Sequence, residues 1–262
     1  MKSADPTNSL VAAVLSFQLS TDEILERLRA IHGDLLKRSP YLQEANFTSI
    51  HSRDLTLLFE AYDDRFFAGL CRRTINPGQL QFRLSTRMTK AGGKTTRFTS
   101  PTGDVRYEIT IACGLLFDGF RHQDREISAC GRPCANRLDA LQRIFEHELV
   151  HLTEQICWQN SDCRTARFQD IAARHFLHRA HTHQLITRQE RAAAAGICVG
   201  ANVEFMFEGC KLTGRVNRIT KRATVLVEDL TGQPYSNGRR YRTYYVPIEQ
   251  LKNVNTPTST AS

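Results

Sequence analysis

The chain has 262 residues, 41% of them hydrophobic and 24% charged, which is the balance of a globular protein and excludes a fibrous or disordered one. A formal net charge of +8 draws it toward polyanions such as nucleic acid, anionic membrane or acidic protein, without naming a function. No apolar run reaches the roughly 18–20 residues that span a bilayer, and Leu10 to Phe17 follows Asp5 and lacks a small-x-small cleavage site, so neither membrane insertion nor export is expected. The eight cysteines should then stay reduced in the cytoplasm, as buried small side chains or metal ligands.

In chain order, residues 1–19 read as a loosely ordered leader. Ser20-Thr21-Asp22-Glu23 is a helix start, and Ile24, Leu25, Leu28, Ile31 and Leu35 follow at helical spacing toward Ser39-Pro40. A second helix is predicted from Asp54 to Cys71. The period then changes to alternation: Leu80 to Leu84, Lys94 to Thr99 and Val105 to Cys113 read as three strands of an antiparallel sheet, with Gly92-Gly93 as a turn. Asp118 to Pro133 reads as loop. Asn136 is an N-cap for a long helix with Leu138, Leu141, Phe145, Leu149, Leu152 and Ile156 on its apolar face. Helices follow over Ala166–His178 and Thr187–Ala195. Gly196 marks the expected boundary of a domain over 20–195, followed by a small module over 196–252 and a disordered tail over 253–262.

The long helix carries Phe145-Glu146-His147-Glu148-Leu149-Val150-His151. Two histidines four apart stand on one helical face, so both imidazoles can meet one ion. Glu148 lies beside that face and can reach a water without occupying a ligand position. Zinc lowers the pKa of water toward roughly 7, and a carboxylate placed there takes the proton as the water attacks a carbonyl. His147 and His151 are therefore candidate ligands of one Zn²⁺, and Glu148 is the candidate general base. A chance match on an amphipathic helix is the alternative, but polar residues in the middle of such a helix need a partner.

These residues, with Leu58-Phe59-Glu60-Ala61-Tyr62-Asp63-Asp64-Arg65-Phe66-Phe67-Ala68-Gly69, Arg87-Met88-Thr89-Lys90-Ala91-Gly92-Gly93 and Ile109-Thr110-Ile111-Ala112-Cys113-Gly114-Leu115-Leu116, resemble the SprT-like metalloproteases. That family includes the Spartan proteases, which act on DNA–protein crosslinks. The resemblance covers roughly residues 54–185 and implies an α+β, zincin-like metalloprotease domain with a small sheet flanked by helices. It also implies a third histidine ligand before an aromatic residue that opens the next helix. Here Ser161-Asp162-Cys163-Arg164-Thr165-Ala166-Arg167-Phe168 has no histidine, and Cys163 is the substitute, since thiolate is a good zinc donor. The alternative is a buried thiol at 163, with His175, His178, His181 or His183 completing the site. Cys130 and Cys134 form a second pair, read as two free thiols in a solvent loop, a reversible disulfide or part of a second metal site.

Past Gly200, Asn202–Phe207, Lys211–Ile219, Ala223–Glu228 and Tyr241–Val246 read as four strands of a small β-barrel similar to an SH3-like fold. Arg218, Lys221, Arg222, Arg239 and Arg240 with Tyr244 combine cations and an aromatic ring, which suits phosphate contact and base stacking. A solvated basic surface or a peptide-binding module are the alternatives. The expected function is a zinc-dependent endopeptidase acting on proteins associated with or crosslinked to nucleic acid. The competing readings are a non-catalytic zinc-containing nucleic-acid-binding protein and a zinc hydrolase for a non-peptide substrate.

Overall fold

Asp5 accepts a hydrogen bond from the Thr7 amide at 3.0 Å and starts helix α1, Pro6–Ser16, with Pro6 in its first turn. The structure, a computed structural model, describes residues 5–120, 126–185, 187–220 and 222–254. Leu10 and Val14, four apart on α1, are completely buried, and Arg174 donates to the carbonyls of Val14 and Phe17 at 3.3 and 3.0 Å. The expected loose leader is thus a docked helix from residue 6, because two apolar side chains on one face find a core. Residues 1–4 of that leader lie outside the described residues.

Helix α2, Thr21–Arg38, has the expected capping box of Ser20 and Glu23 and buries Ile24, Leu28, Ile31 and Leu35. The second predicted helix is broken into α3, Ser52–Phe67, and α4, Leu70–Thr74. Ala68 and Gly69 between them have positive φ, 52° and 73°. The break is held by Asp63, whose fully buried carboxylate accepts from the amides of Cys71 and Arg72 at 3.0 and 3.1 Å and so caps the new helix.

Strands β1 (Leu80–Leu84), β2 (Gly93–Thr99) and β3 (Val105–Ile111) form a sheet of order β1-β3-β2. β2 runs antiparallel to β3, but β1 runs parallel to it, so the sheet is mixed and not wholly antiparallel as expected. Alternation reveals which residues share a face; it carries no information on strand direction. Gly93 also belongs to β2, where the sequence suggests a turn.

Helix α5 (Cys113–Gly119) follows the sheet, and the predicted loop contains two short strands, β4 (Ser128–Ala129) and β5 (Arg132–Pro133). Residues 121–125 of that loop lie outside the described residues. Asn136 accepts from the Asp139 amide at 2.9 Å and caps α6, Arg137–Trp158, whose buried side chains run from Leu138 to Ile156. Helix α7 (Ala166–Phe176) is capped by Thr165 and ends at Leu177, earlier than expected, in a left-handed residue. The chain then returns as β6 (His183–Gln184), which pairs with β4.

The chain divides after Leu185 into two compact units. Ala192 of helix α8 (Arg188–Ala194) is buried with Ile197, Val203, Phe205, Val216, Val225, Val246 and Leu251, so α8 belongs to the C-terminal unit and not to the metal-helix domain. Gly196, with φ 70°, ends that helix and does not mark the domain boundary. Strands β7 (Asn202–Phe207), β8 (Cys210–Ile219), β9 (Ala223–Pro234), β10 (Arg240–Val246) and β11 (Lys252–Asn253) make an antiparallel sheet of order β10-β9-β8-β7-β11. Among the described residues no pairing joins β10 to β11, so this is an open sheet where a closed barrel was expected. Its apolar face is covered by α8 and the turn at Ile248, which removes the need for closure. Asn253 of the predicted disordered tail is in β11, and residues 255–262 lie outside the described residues. Taken together, the chain is a mixed α+β protein, and among the described residues no helix is long and apolar enough to cross a membrane.

Candidate metal centre

His147 and His151 stand one turn apart on α6, with their Nε2 atoms 3.2 Å from each other. Two imidazole nitrogens at that distance can share one proton or one cation. Burial lowers the pKa of His147 to about 2 and that of His151 to about 4, so both rings are neutral at pH 7 and have a lone pair to donate. One ligating atom each of His147, His151 and Cys163 lie within 4.8 Å of one another, although they come from α6 and the following loop. Two neutral imidazoles and a thiol that can ionise form a nitrogen–sulfur donor set of the kind zinc takes, and they leave a position for a further ligand. The Cys163 thiol is held above its usual range by burial and by the Asp162 carboxylate, so metal uptake there releases a proton.

Ser161 fixes the orientation of His151. Its hydroxyl donates to the Glu154 carboxylate at 2.6 Å and lies 2.7 Å from His151 Nδ1. The hydroxyl has one proton and gives it to the carboxylate, so its lone pair accepts Nδ1–H of His151. Nε2 is therefore the unprotonated nitrogen, and it points at His147. Glu154 is fully buried and is paired with Arg167 Nε at 2.6 Å. Arg167 in turn stacks over Trp158 and donates to Asn160 Oδ1 at 2.7 Å. Ser161→Ala is expected to weaken zinc binding about 10–100-fold, the usual effect of losing a group that orients a ligand. Competition against a zinc chelator checks this, and an unchanged affinity would show that the serine only fills space.

Glu148 is 3% exposed and is held against β2. Thr95 Oγ1 lies 2.7 Å from Glu148 Oε2 and 2.9 Å from the Glu148 carbonyl oxygen. Burial raises the carboxyl to about 7, with the Thr95 contacts opposing the rise. Gly93, two residues before Thr95 on the same strand face, lies so near that a Cβ there would meet Glu148 Cγ at 2.6 Å and Oε1 at 2.7 Å. The need at Gly93 is for a missing side chain and not for turn geometry.

The other histidines separate by role. His175 is fully buried, stacks on Phe17 at 4.0 Å and bonds the Ile171 carbonyl oxygen at 3.0 Å. His178 Nε2 bonds Glu146 Oε2 at 2.8 Å. Glu146 also accepts from Tyr62 Oη at 2.6 Å and pairs with Arg143 at 2.7 Å, so this buried carboxylate ties α6 to α3 and to the end of α7. Among the described residues neither His175 nor His178 joins the groups that could hold a metal. His183 does: its ring lies 5.1 Å from that of His147. Cys130 and Cys134 are free thiols, but both are buried and not in a solvent loop as expected, and Cys130 Sγ lies 3.7 Å from His183 Nδ1. Sequence reasoning passed over Thr95, Glu146, Glu154 and Ser161. Glu146 and Glu154 left a signal, since each is a carboxylate inside a helix that buries most of its length.

In the C-terminal unit Arg218 and Arg222 are exposed, while Lys221 lies outside the described residues. Arg239 is paired with Glu228, and Arg240 donates to the Gly232 carbonyl oxygen at 2.9 Å. Tyr244 packs on Phe205 and Phe207 at ring distances of 5.5 and 5.0 Å, which makes it part of the sheet's packing and less a free stacking platform. Tyr245, next to it, is 68% exposed. Comparison with protein-family models, curated proteins and solved structures gives no match to this chain.

Proposed function

We propose that the chain is a zinc-dependent endopeptidase. The observation that carries this reading is a buried carboxylate, Glu148, clamped by Thr95 and following His147 in the chain, where His147, His151 and Cys163 form a donor set. A purely structural zinc site has no use for an unligated, shaped carboxylate at that position. The resemblance of residues 54–185 to SprT-like proteases supports the same reading. Zinc bound to this set would supply Lewis acidity, which polarises a peptide carbonyl and makes water a stronger acid. The protein's own part is to hold and move the proton. Thr95 occupies Oε2 of Glu148, which leaves Oε1 to accept a proton from attacking water and deliver it to the departing amine. The burial that raises the carboxyl favours its keeping the proton between the two steps. Ser161 and Glu154 keep His151 in the ligating tautomer meanwhile.

The test is cleavage of an unfolded protein by the zinc-loaded chain, read by mass spectrometry. Cleavage is expected to stop on chelation and to return on adding one equivalent of zinc. No cleavage by a chain shown to contain zinc would remove the peptidase reading.

We further propose that the C-terminal unit directs this activity to proteins on nucleic acid, through the exposed Arg218 and Arg222. Removing one cation that meets a phosphate should lower the salt slope of binding by about 0.7–0.9 log units per tenfold salt. Arg218→Ala with Arg222→Ala in the full chain is therefore expected to flatten the slope by roughly 1.4–1.8. A salt titration on labelled single- and double-stranded DNA checks this, and an unchanged slope would assign the surface to another role.

A further inference from the structure

Beside the donor set already described lies a second one that shares a single residue with it. Ligating atoms of Cys130, His147 and His183 lie within 4.8 Å of one another. They converge because of backbone register, since the β4–β6 pairing sets His183 opposite Ala129, immediately before Cys130. Cys130 is completely buried and has φ 54°, a left-handed conformation that residues other than glycine adopt uncommonly. Its backbone is tied to the returning strand: its amide donates to the Thr182 carbonyl at 2.9 Å, and its own carbonyl accepts from the amides of Arg179 and Ala180 at 2.9 and 3.2 Å. Gly131 completes the turn, where a Cβ would meet Arg179 Cβ at 2.9 Å. The thiol and the imidazole are thus held in place before any ligand arrives.

An independent observation concerns His147. Its Nε2 faces His151, and its Nδ1 is buried without a hydrogen-bond partner among the described residues. An unpaired ring nitrogen in a residue 5% exposed is costly unless something binds it. The His183 ring lies 5.1 Å from that of His147, whereas His178 is engaged by Glu146.

We propose that Cys130, His147 and His183 form a second binding site for a thiophilic closed-shell cation such as Zn²⁺, Cd²⁺ or Cu⁺, in competition with the His147–His151–Cys163 set. Two imidazoles and one thiol select such ions over Mg²⁺ or Ca²⁺, which prefer oxygen. Binding forms a sulfur–metal bond and releases the Cys130 proton to solvent, with no redox change. The competition follows from elementary chemistry: a neutral imidazole has one ring lone pair, so His147 serves one ion at a time. A cation held by Cys130 and His183 therefore takes His147 away from His151 and Cys163. The site goes beyond the peptidase reading and does not depend on it, since it needs only the metal-binding capacity of three side chains.

The experiment is Cd²⁺ titration of the full chain, read by bound metal and by sulfur-to-cadmium charge-transfer absorption. The exposed Cys198 and Cys210 are replaced by serine throughout, so that they take up no metal. With His151→Ala and Cys163→Ser added, the first set is dismantled, and one equivalent of Cd²⁺ with thiolate absorption is expected to remain. Adding Cys130→Ser, nearly isosteric, should abolish that absorption, and adding His183→Ala instead should weaken binding at least tenfold. His151→Gln replaces His151→Ala should the alanine chain fail to fold, as judged by circular dichroism. No cadmium on the dismantled chain, or absorption that survives Cys130→Ser, overturns the site. Two equivalents bound together by a chain with both sets intact overturn the competition for His147. None of these outcomes depends on proteolysis, so loss of the peptidase reading and loss of this site are separately visible.

Discussion

Glu148→Gln is expected to lower peptide cleavage by about 10²–10⁴-fold, the range for removing a positioned general acid–base group, while zinc content stays at that of the parent. The amide keeps the shape of the side chain and its contact with Thr95, which lies 2.7 Å from Oε2. It cannot accept a proton at neutral pH, and so has none to deliver to the departing amine, which removes both parts of the role assigned to Glu148. Retained zinc separates this result from one in which the site collapses, as expected for His147→Ala, which removes a ligand. Steady-state cleavage of an unfolded protein, with metal analysis of the same sample, is the measurement. Equal rates for the glutamine chain and the parent would take Glu148 out of the chemistry.

Gly93→Ala is expected to reduce cleavage by about 10²-fold or more although the substitution adds one methyl group and touches no ligand. The new Cβ would stand 2.6 Å from Glu148 Cγ and 2.7 Å from Oε1, distances that real structures do not tolerate. Either the carboxylate moves or β2 does, and a displacement of about 1 Å at a proton-transferring group costs on the order of that factor. Gly92→Ala is the informative companion. There the new atom would meet the end of the Ile144 side chain at 3.0 Å and His183 Cδ2 at 3.2 Å. The Ile144 end can rotate aside, so a smaller loss is expected. The two alanine chains are compared by rate and by thermal melting. If Gly92→Ala proved the more damaging to rate at equal stability, the close approach at Glu148 would not be what Gly93 provides.

Several features of this protein were legible in one dimension. Two histidines four apart on an apolar-periodic helix share a face wherever the helix goes, so His147 and His151 could be paired without coordinates. Caps are equally local: Ser20 with Glu23 and Asn136 with Asp139 act within three residues, and both appear as written. Cys163 was read from its place before Phe168, and the structure brings its thiol to the two imidazoles.

Tertiary structure decided what depends on elements far apart in the chain. Thr95 reaches Glu148 across 53 positions, and Tyr62 reaches Glu146 across 84, distances at which sequence spacing carries no signal. The parallel placement of β1, the docking of Leu10 and Val14, and the transfer of α8 to the C-terminal core each rest on which apolar face found which partner. Burial is the physical reason in every case: the pattern states that a face must be covered, and only the packed chain selects the cover. The same holds for charge. Arg218 and Arg239 look alike in the sequence and both stand exposed, yet Glu228 pairs with Arg239, so the composition of the module set its sign and the fold set which cation meets a carboxylate.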